Sequence, residues 1–264
     1  MLTGGLTGAA DDLRRGLTHW RVWWILGLQD IDLRYRRSFF GPFWISASLV
    51  FLMLTLGYIY GPIQGTSFVT YVHFLGAGLL AWNLISGLIN EGAGGVLEHE
   101  AYLQNVPLPL SAIALRIVLR NALIFLHNLI AVIVTLLFFG IRFSPIAALS
   151  LIGLALILVF GFCASIALGP FSTRYRDVRQ VIASVLQVAF FLTPIIWIPV
   201  EGLHRPEIAD LNPFYHMVET VRAPLRGAAP TAANWMAAGA TCAITGLAAL
   251  VSLAVTRHRV ALWL

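Results

Sequence analysis

The chain has 264 residues, 59% of them hydrophobic and 11% charged, with a mean hydropathy of +0.83 and a formal net charge of +5. Soluble domains carry about 25% charged residues, so this composition excludes them and describes an integral membrane protein, with no affinity for nucleic acid to be read from its charge. All 17 basic residues are arginine; without lysine there is no phosphate-binding Walker loop, so any ATP that drives this protein, and its magnesium, belongs on a separate subunit.

At the N-terminus, WRVWWILGL is short and runs into QDIDLRYRR rather than a small-residue cleavage site, so it does not read as a signal peptide and is expected to be retained. Trp20, Trp23, Trp24, Leu26 and Leu28 alternate with charge, which predicts one helix over 11–38 lying in the membrane interface, its tryptophans at headgroup level. Arg34, Tyr35, Arg36 and Arg37 close this segment, followed by Phe39, Phe40, Phe43 and Trp44, with Gly41-Pro42 between the aromatic pairs. The glycine-proline step is expected to break the interfacial helix away from the first span, leaving a gap at the membrane surface.

Crossing about 30 Å of hydrocarbon takes about 20 apolar residues. Six segments supply them: 43–60, 71–89, 112–139, 146–171, 181–197 and 234–256. There is no internal repeat of the kind that builds many secondary transporters. With six crossings, eleven arginines (the N-terminal six, Arg174, Arg176, Arg179, Arg257 and Arg259) share one side with both termini, against Arg142, Arg205, Arg222 and Arg226 on the other. The positive-inside rule then places both termini in the cytoplasm.

Between the second and third spans, 91–110 carries Glu91, Glu98 and Glu100 among glycines and ends on Pro107 and Pro109. A short helix over about 95–105 is predicted, with Ser111 capping the next. Within the third span Arg116, Arg120, Asn121, His127 and Asn128 form a polar ladder. It reads equally as an intramembrane functional site and as arginines snorkelling to the surface above a histidine–asparagine pair bonded to a neighbouring helix. Arg174, Arg176, Asp177 and Arg179 read as an ion-paired turn or as topology signals. Segment 199–230 is too polar to span and too long for a plain loop; one or two short helices dipping back toward the outer side are predicted, with an amphipathic piece over 215–225. Cys163 and Cys242 sit in apolar runs, and neither a disulfide nor a metal site is expected. A membrane enzyme would need acids, bases or a nucleophile converging at one depth, and no catalytic residues are assigned.

In order along the chain, RYRRSFFGPFW, INEG, PLPLS, RNALIFLHN, TRYRDVRQ, TPIIW and NPFYHMVETVRAPLRG resemble the ABC-2 type permeases that export lipid-linked polysaccharides, most closely the Wzm type, with capsule and teichoic acid permeases as near relatives. The resemblance runs from about residue 13 to the C-terminus. It implies an all-α inner-membrane subunit of six spans that works as a homodimer on two copies of a separate ATPase and moves a glycan carried on undecaprenyl pyrophosphate. Read through it, Arg34, Tyr35, Arg36, Arg37, Gly41 and Pro42 form a gate that receives the lipid pyrophosphate, arginine supplying bidentate donors for phosphate oxygens. Phe51, Tyr58, Trp82, Phe190, Phe191 and Trp197 are the channel candidates, since sugars stack on aromatic rings, and Glu98, Glu100, Tyr102 and Leu103 couple to the ATPase. A small-lipid or drug exporter of the same class would keep the architecture without the gate and the aromatic path.

Overall fold

The computed structural model describes residues 2–36, 43–100, 103, 108–199, 206–257 and 259–263. Arg37, Gly41, Pro42 and Tyr102 fall outside them. Helices and their connections account for every described residue, with no strand among them. In chain order they are α1 (Leu2–Thr18), α2 (Trp20–Tyr35), α3 (Phe43–Ile63), α4 (Phe68–Glu98), α5 (Leu110–Phe138), α6 (Ser150–Arg174, led by a 3-10 turn at Pro145–Leu149), α7 (Val178–Leu192), α8 (Pro206–Asp210), α9 (Pro213–Leu225), α10 (Ala232–Thr256) and α11 (Val260–Trp263).

Among the described residues five helices are long and apolar enough to cross a membrane: α3, α4, α5, α6 with its leading turn, and α10. At about 1.5 Å per residue the 31 residues of α4 reach about 46 Å, so this helix outruns the hydrocarbon. It is also the hub, its apolar window 78% buried against 17–28% for the other four. Its sequence explains this: a Cβ on Gly92 would lie 2.8 Å from the Cα of Ser165 on α6, so glycine alone permits that approach.

The interfacial segment is two helices rather than one. They part at His19, where the Thr18 hydroxyl and the His19 ring both bond the Arg15 carbonyl and compete for the last turn of α1. The 95–105 helix also divides differently. Gly95 to Glu98 finish α4, His99 closes it, and helical backbone resumes at Glu100, the Leu103 amide donating to the His99 carbonyl. Ser111 does not cap α5. Asp12 of α1 does so, its carboxylate accepting from the Leu110 and Ser111 amides at 3.0 Å each. The fifth predicted span, 181–197, yields only the 15 residues of α7, about 22 Å of helix, because Pro194 forces Thr193 into an extended conformation (φ −85°, ψ 131°). Two short helices do form within 199–230, α8 and α9, α9 opening on Asn212, whose side chain accepts from the Phe214 and Tyr215 amides.

Both chain termini meet at one end of the bundle. There Ala9 and Leu13 of α1 join Val96, Leu110, Ile166, Leu253 and Val260 in a second hydrophobic cluster. This end also holds Arg174, stacked at 5.4 Å on Trp263 of α11. At the opposite end α9 carries a fully buried Arg222, paired with Glu219, donating to the Pro194 carbonyl and lying 4.2 Å over the ring of Phe74.

Candidate functional site

Two helices each present a pair of polar groups spaced about one turn apart, Asp30 and Arg34 on α2 and Arg116 and Arg120 on α5, and Glu91 on α4 faces Asn121 of α5. One-turn spacing puts each pair on a single helix face, and the packing of α2 and α4 on α5 brings the faces together. Arg116 grips Asp30 with a bidentate fork, Nε to Oδ2 at 2.8 Å and Nη2 to Oδ1 at 2.6 Å. Arg120 lies between the two carboxylates, 3.3 Å from Asp30 Oδ2 and, through Nε and Nη2, 2.9 and 2.8 Å from Glu91 Oε2. Asn121 Nδ2 donates to the same Glu91 oxygen, in space left by the missing side chain of Gly87. Arg34 closes the network from the other side, Nη1 to Glu91 Oε1 at 3.3 Å.

Exposure rises steadily through this network, from 9% for the Arg116 side chain and 11% for Asp30 to 23% for Glu91 and 44% for Arg34. Its closed end holds electrostatic consequences. Burial alone would raise the Asp30 carboxyl, but the hydrogen bond and charge of Arg116, with Arg120 behind it, hold it below the usual carboxylate range. His99 lies buried beside the same groups, its Nδ1 donating to the Gly95 carbonyl over 2.6 Å. Its burial, with the nearby arginines, depresses its pKa below the ordinary 6.5 despite the opposing pull of Gly95 and Asp30.

The open end leads into a cleft of about 620 Å³ between α3, α4 and α5, with Arg34, Glu91 and Asn121 at its head. Ser48, Thr55, Asn83 and Asn128 line it along the depth of apolar helices. Asn83 is an exposed residue midway along the largely buried α4. Polar groups at that depth are costly unless they face water, protein or a polar guest, so this cleft is suited to admit a polar or amphipathic molecule from the side. Among the described residues no group of acids, histidines or cysteines could hold a metal.

Of the predicted gate residues, Arg34 heads the cleft. Arg36 caps α2, exposed, on an adjoining groove with Gln29 and Asp32; Tyr35 is the last residue of α2, and Arg37, Gly41 and Pro42 lie outside the described residues. The six predicted channel aromatics fall into two groups. Phe51, Tyr58 and Phe191 stand exposed on the outer faces of α3 and α7, Phe51 also lining the cleft. Trp82 is a core residue, 6% exposed, its ring 5.7 Å from those of both Phe190 and Phe214; Phe190 packs with it, and Trp197 donates its indole N–H to the Phe191 carbonyl. Of the coupling residues, Glu98 pairs with Arg179 of α7 at 2.6 Å, Glu100 opens the helical stretch after His99, Leu103 packs on the second cluster, and Tyr102 is outside the described residues. Sequence reading missed Asp30 and the joint role of Glu91 and Asn121. The signal was present in the one-turn spacings of Asp30 with Arg34 and of Arg116 with Arg120.

A multi-pass helical membrane protein with a long central span, a polar lateral cleft and an ion-paired helical clasp at one end is the architecture of a transporter subunit. Residues 21–225 match the ABC-2 type transporter family, and the chain belongs to it. Among its relatives is the O-antigen export system permease protein RfbA of Myxococcus xanthus, 22% identical over 199 residues, a match covering 74% of this chain and 76% of that protein. A Klebsiella pneumoniae protein of the same name is 23% identical over 176 residues, covering 64% of this chain and 66% of its own length.

Proposed function

We propose that this chain is the membrane-spanning permease of an exporter that moves undecaprenyl-pyrophosphate-linked polysaccharide of the O-antigen type across the cytoplasmic membrane. Arg34 at the head of a polar, laterally open cleft carries this reading: a diphosphate head fits the guanidinium there while its polyprenyl tail stays in lipid. The O-antigen export named for the relatives supports the substrate class. Two copies of the chain form the path and two copies of a separate ATPase subunit supply the energy, ATP and magnesium being held there. Both termini lie in the cytoplasm and α7, with its extended continuation, makes the sixth crossing.

The dimer reading is supported by two exposed faces. Along α3, Trp44, Phe51 and Tyr58 recur every seven residues and are all exposed. On α7 only Leu186 and Ala189 are buried, and Ser184 and Gln187 stand exposed among Val181, Val185 and Val188. A glutamine facing hydrocarbon is unfavourable, so this face suits a water-lined path shared between two copies, with Phe51, Tyr58 and Phe191 available to stack on sugar rings.

The test is a triple variant, Arg34→Lys, Arg36→Lys and Arg37→Lys, which keeps the charge that orients the chain but loses bidentate geometry. It is expected to insert in the parental topology and to export poorly in a cell-surface polysaccharide assay. Export at the parental level would remove the headgroup gate from this reading.

A further inference from the structure

The network at the head of the cleft is unbalanced, with three guanidiniums (Arg34, Arg116, Arg120) facing two carboxylates (Asp30, Glu91). Arg116 and Asp30 satisfy each other in a closed fork. Arg34 and Arg120 are left to share Glu91. Four donors therefore converge on this one carboxylate, Nη1 of Arg34, Nε and Nη2 of Arg120 and Nδ2 of Asn121, and they come from two different helices. Asp30 accepts only from its arginines at the closed end. Glu91 sits instead on the wall of an open polar cleft. A planar anion held by convergent guanidinium and amide donors at a cleft wall has the form of an occupied anion site.

We propose that Glu91 is an internal stand-in for phosphate: Arg34, Arg120 and Asn121 form a diphosphate-ester site, and the arriving head displaces the Glu91 carboxylate from them. The inference rests on reading the cleft as the place where a lipid-linked diphosphate is received. A diphosphate monoester or diester offers more charge and more acceptor oxygens than one carboxylate, so it competes well for two guanidiniums. The stand-in also weakens net binding, because each arrival must break existing charge-assisted bonds and each departure restores them. A transported molecule has to leave again, and a site without a competitor would hold it too firmly. The exchange has a mechanical side. It releases the tie between α2 and α4 made by Arg34 and Glu91, while the Asp30–Arg116 fork keeps α2 fastened to α5.

The experiment measures binding of farnesyl pyrophosphate to the full chain in phosphatidylcholine nanodiscs. Glu91→Gln removes the competing charge and keeps the shape, so affinity should rise about tenfold, the difference between a charged and a neutral acceptor. Asn121→Asp adds a second competitor and should lower affinity about tenfold. A residue of merely structural importance would not give a gain on losing its charge. Inorganic pyrophosphate should bind more weakly than the prenyl ester, and phosphatidylglycerol in the nanodisc should compete poorly; equal binding of inorganic pyrophosphate would assign the site to free phosphate and overturn the lipid source. If Glu91→Gln leaves affinity unchanged or lowers it while Arg34→Gln still weakens binding, the stand-in is overturned and the cleft reading survives. Parental binding in both Arg34→Gln and Arg120→Lys overturns the cleft reading itself. Should Glu91→Gln not yield folded protein, Asn121→Asp decides alone, and parental affinity there overturns the proposal.

Discussion

Among the described residues Arg116 and Asp30 form the most enclosed ion pair apart from that of Arg222 and Glu219 on α9, and such pairs punish the loss of one partner more than they reward the presence of both. Arg116→Leu would leave Asp30 largely desolvated with only the longer contact to Arg120, costing about 3 kcal/mol, whereas the pair Arg116→Leu with Asp30→Leu should cost less; thermal unfolding of both in the same detergent measures the difference. His99 gives a second expectation. Its folded pKa lies below the unfolded 6.5, so protonation favours the unfolded state: stability is full above pH 6.5 and falls as the pH drops below it. His99→Gln should flatten the melting temperature between pH 6.5 and 5, and a parental slope would show that another group is responsible. Asp30 has its pKa lowered from 3.8, so its contribution persists to that value and is lost only below it.

Among the elements, α5 starts where it does because α1 supplies its cap from a distance. Asp12 satisfies the Leu110 and Ser111 amides, and the Ser111 hydroxyl donates back to the Asp12 carbonyl at 2.7 Å. Removing a capping carboxylate costs about 1 kcal/mol, so Asp12→Ala should lower stability by that amount and, by releasing α1, speed proteolysis within residues 2–18; unchanged protection of that stretch would mean the cap does not hold α1. The α4–α6 contact is steric. Gly92→Val would push methyls into the Ser165 backbone and is expected to destabilise by about 1–3 kcal/mol, again read by thermal unfolding. Apolar periodicity and length made α3, α5, α6 and α10 readable from sequence to within a few residues at most ends. They did not reveal that α4 continues through 91–98, because Glu91 and Glu98 break the apolar run and Gly92, Gly94 and Gly95 are locally poor helix material, held helical by burial against α5, α6 and α7.

For the whole molecule, Glu98 links α4 to the first turn of α7 through Arg179, and α7 touches little else. The sequence assigned Glu98 to an ATPase surface, and a charge swap separates the two roles. Glu98→Arg alone should impair export by placing two cations together; adding Arg179→Glu should restore it if the pair is an internal link between helices. A swapped variant that inserts but does not export assigns Glu98 to the partner surface.

That this protein is a many-helix membrane protein and that its sequence holds no Walker lysine followed from composition and hydropathy alone, because hydrocarbon thickness and the absence of lysine are constraints that each segment meets on its own. The polypeptide order of motifs also carried the family. What tertiary structure decided is which groups meet. Asp30, Glu91 and Arg120 are separated by 29 to 90 residues in sequence, and no local pattern states that a carboxylate on one helix lies within 3 Å of a guanidinium on another. The fate of the aromatics was hidden for the same reason. Trp82 and Phe51 look alike in sequence, yet the first is enclosed by Phe190 and Phe214 while the second stands at the cleft, since the packing of α4 at the centre and α3 at the edge determines which rings are covered.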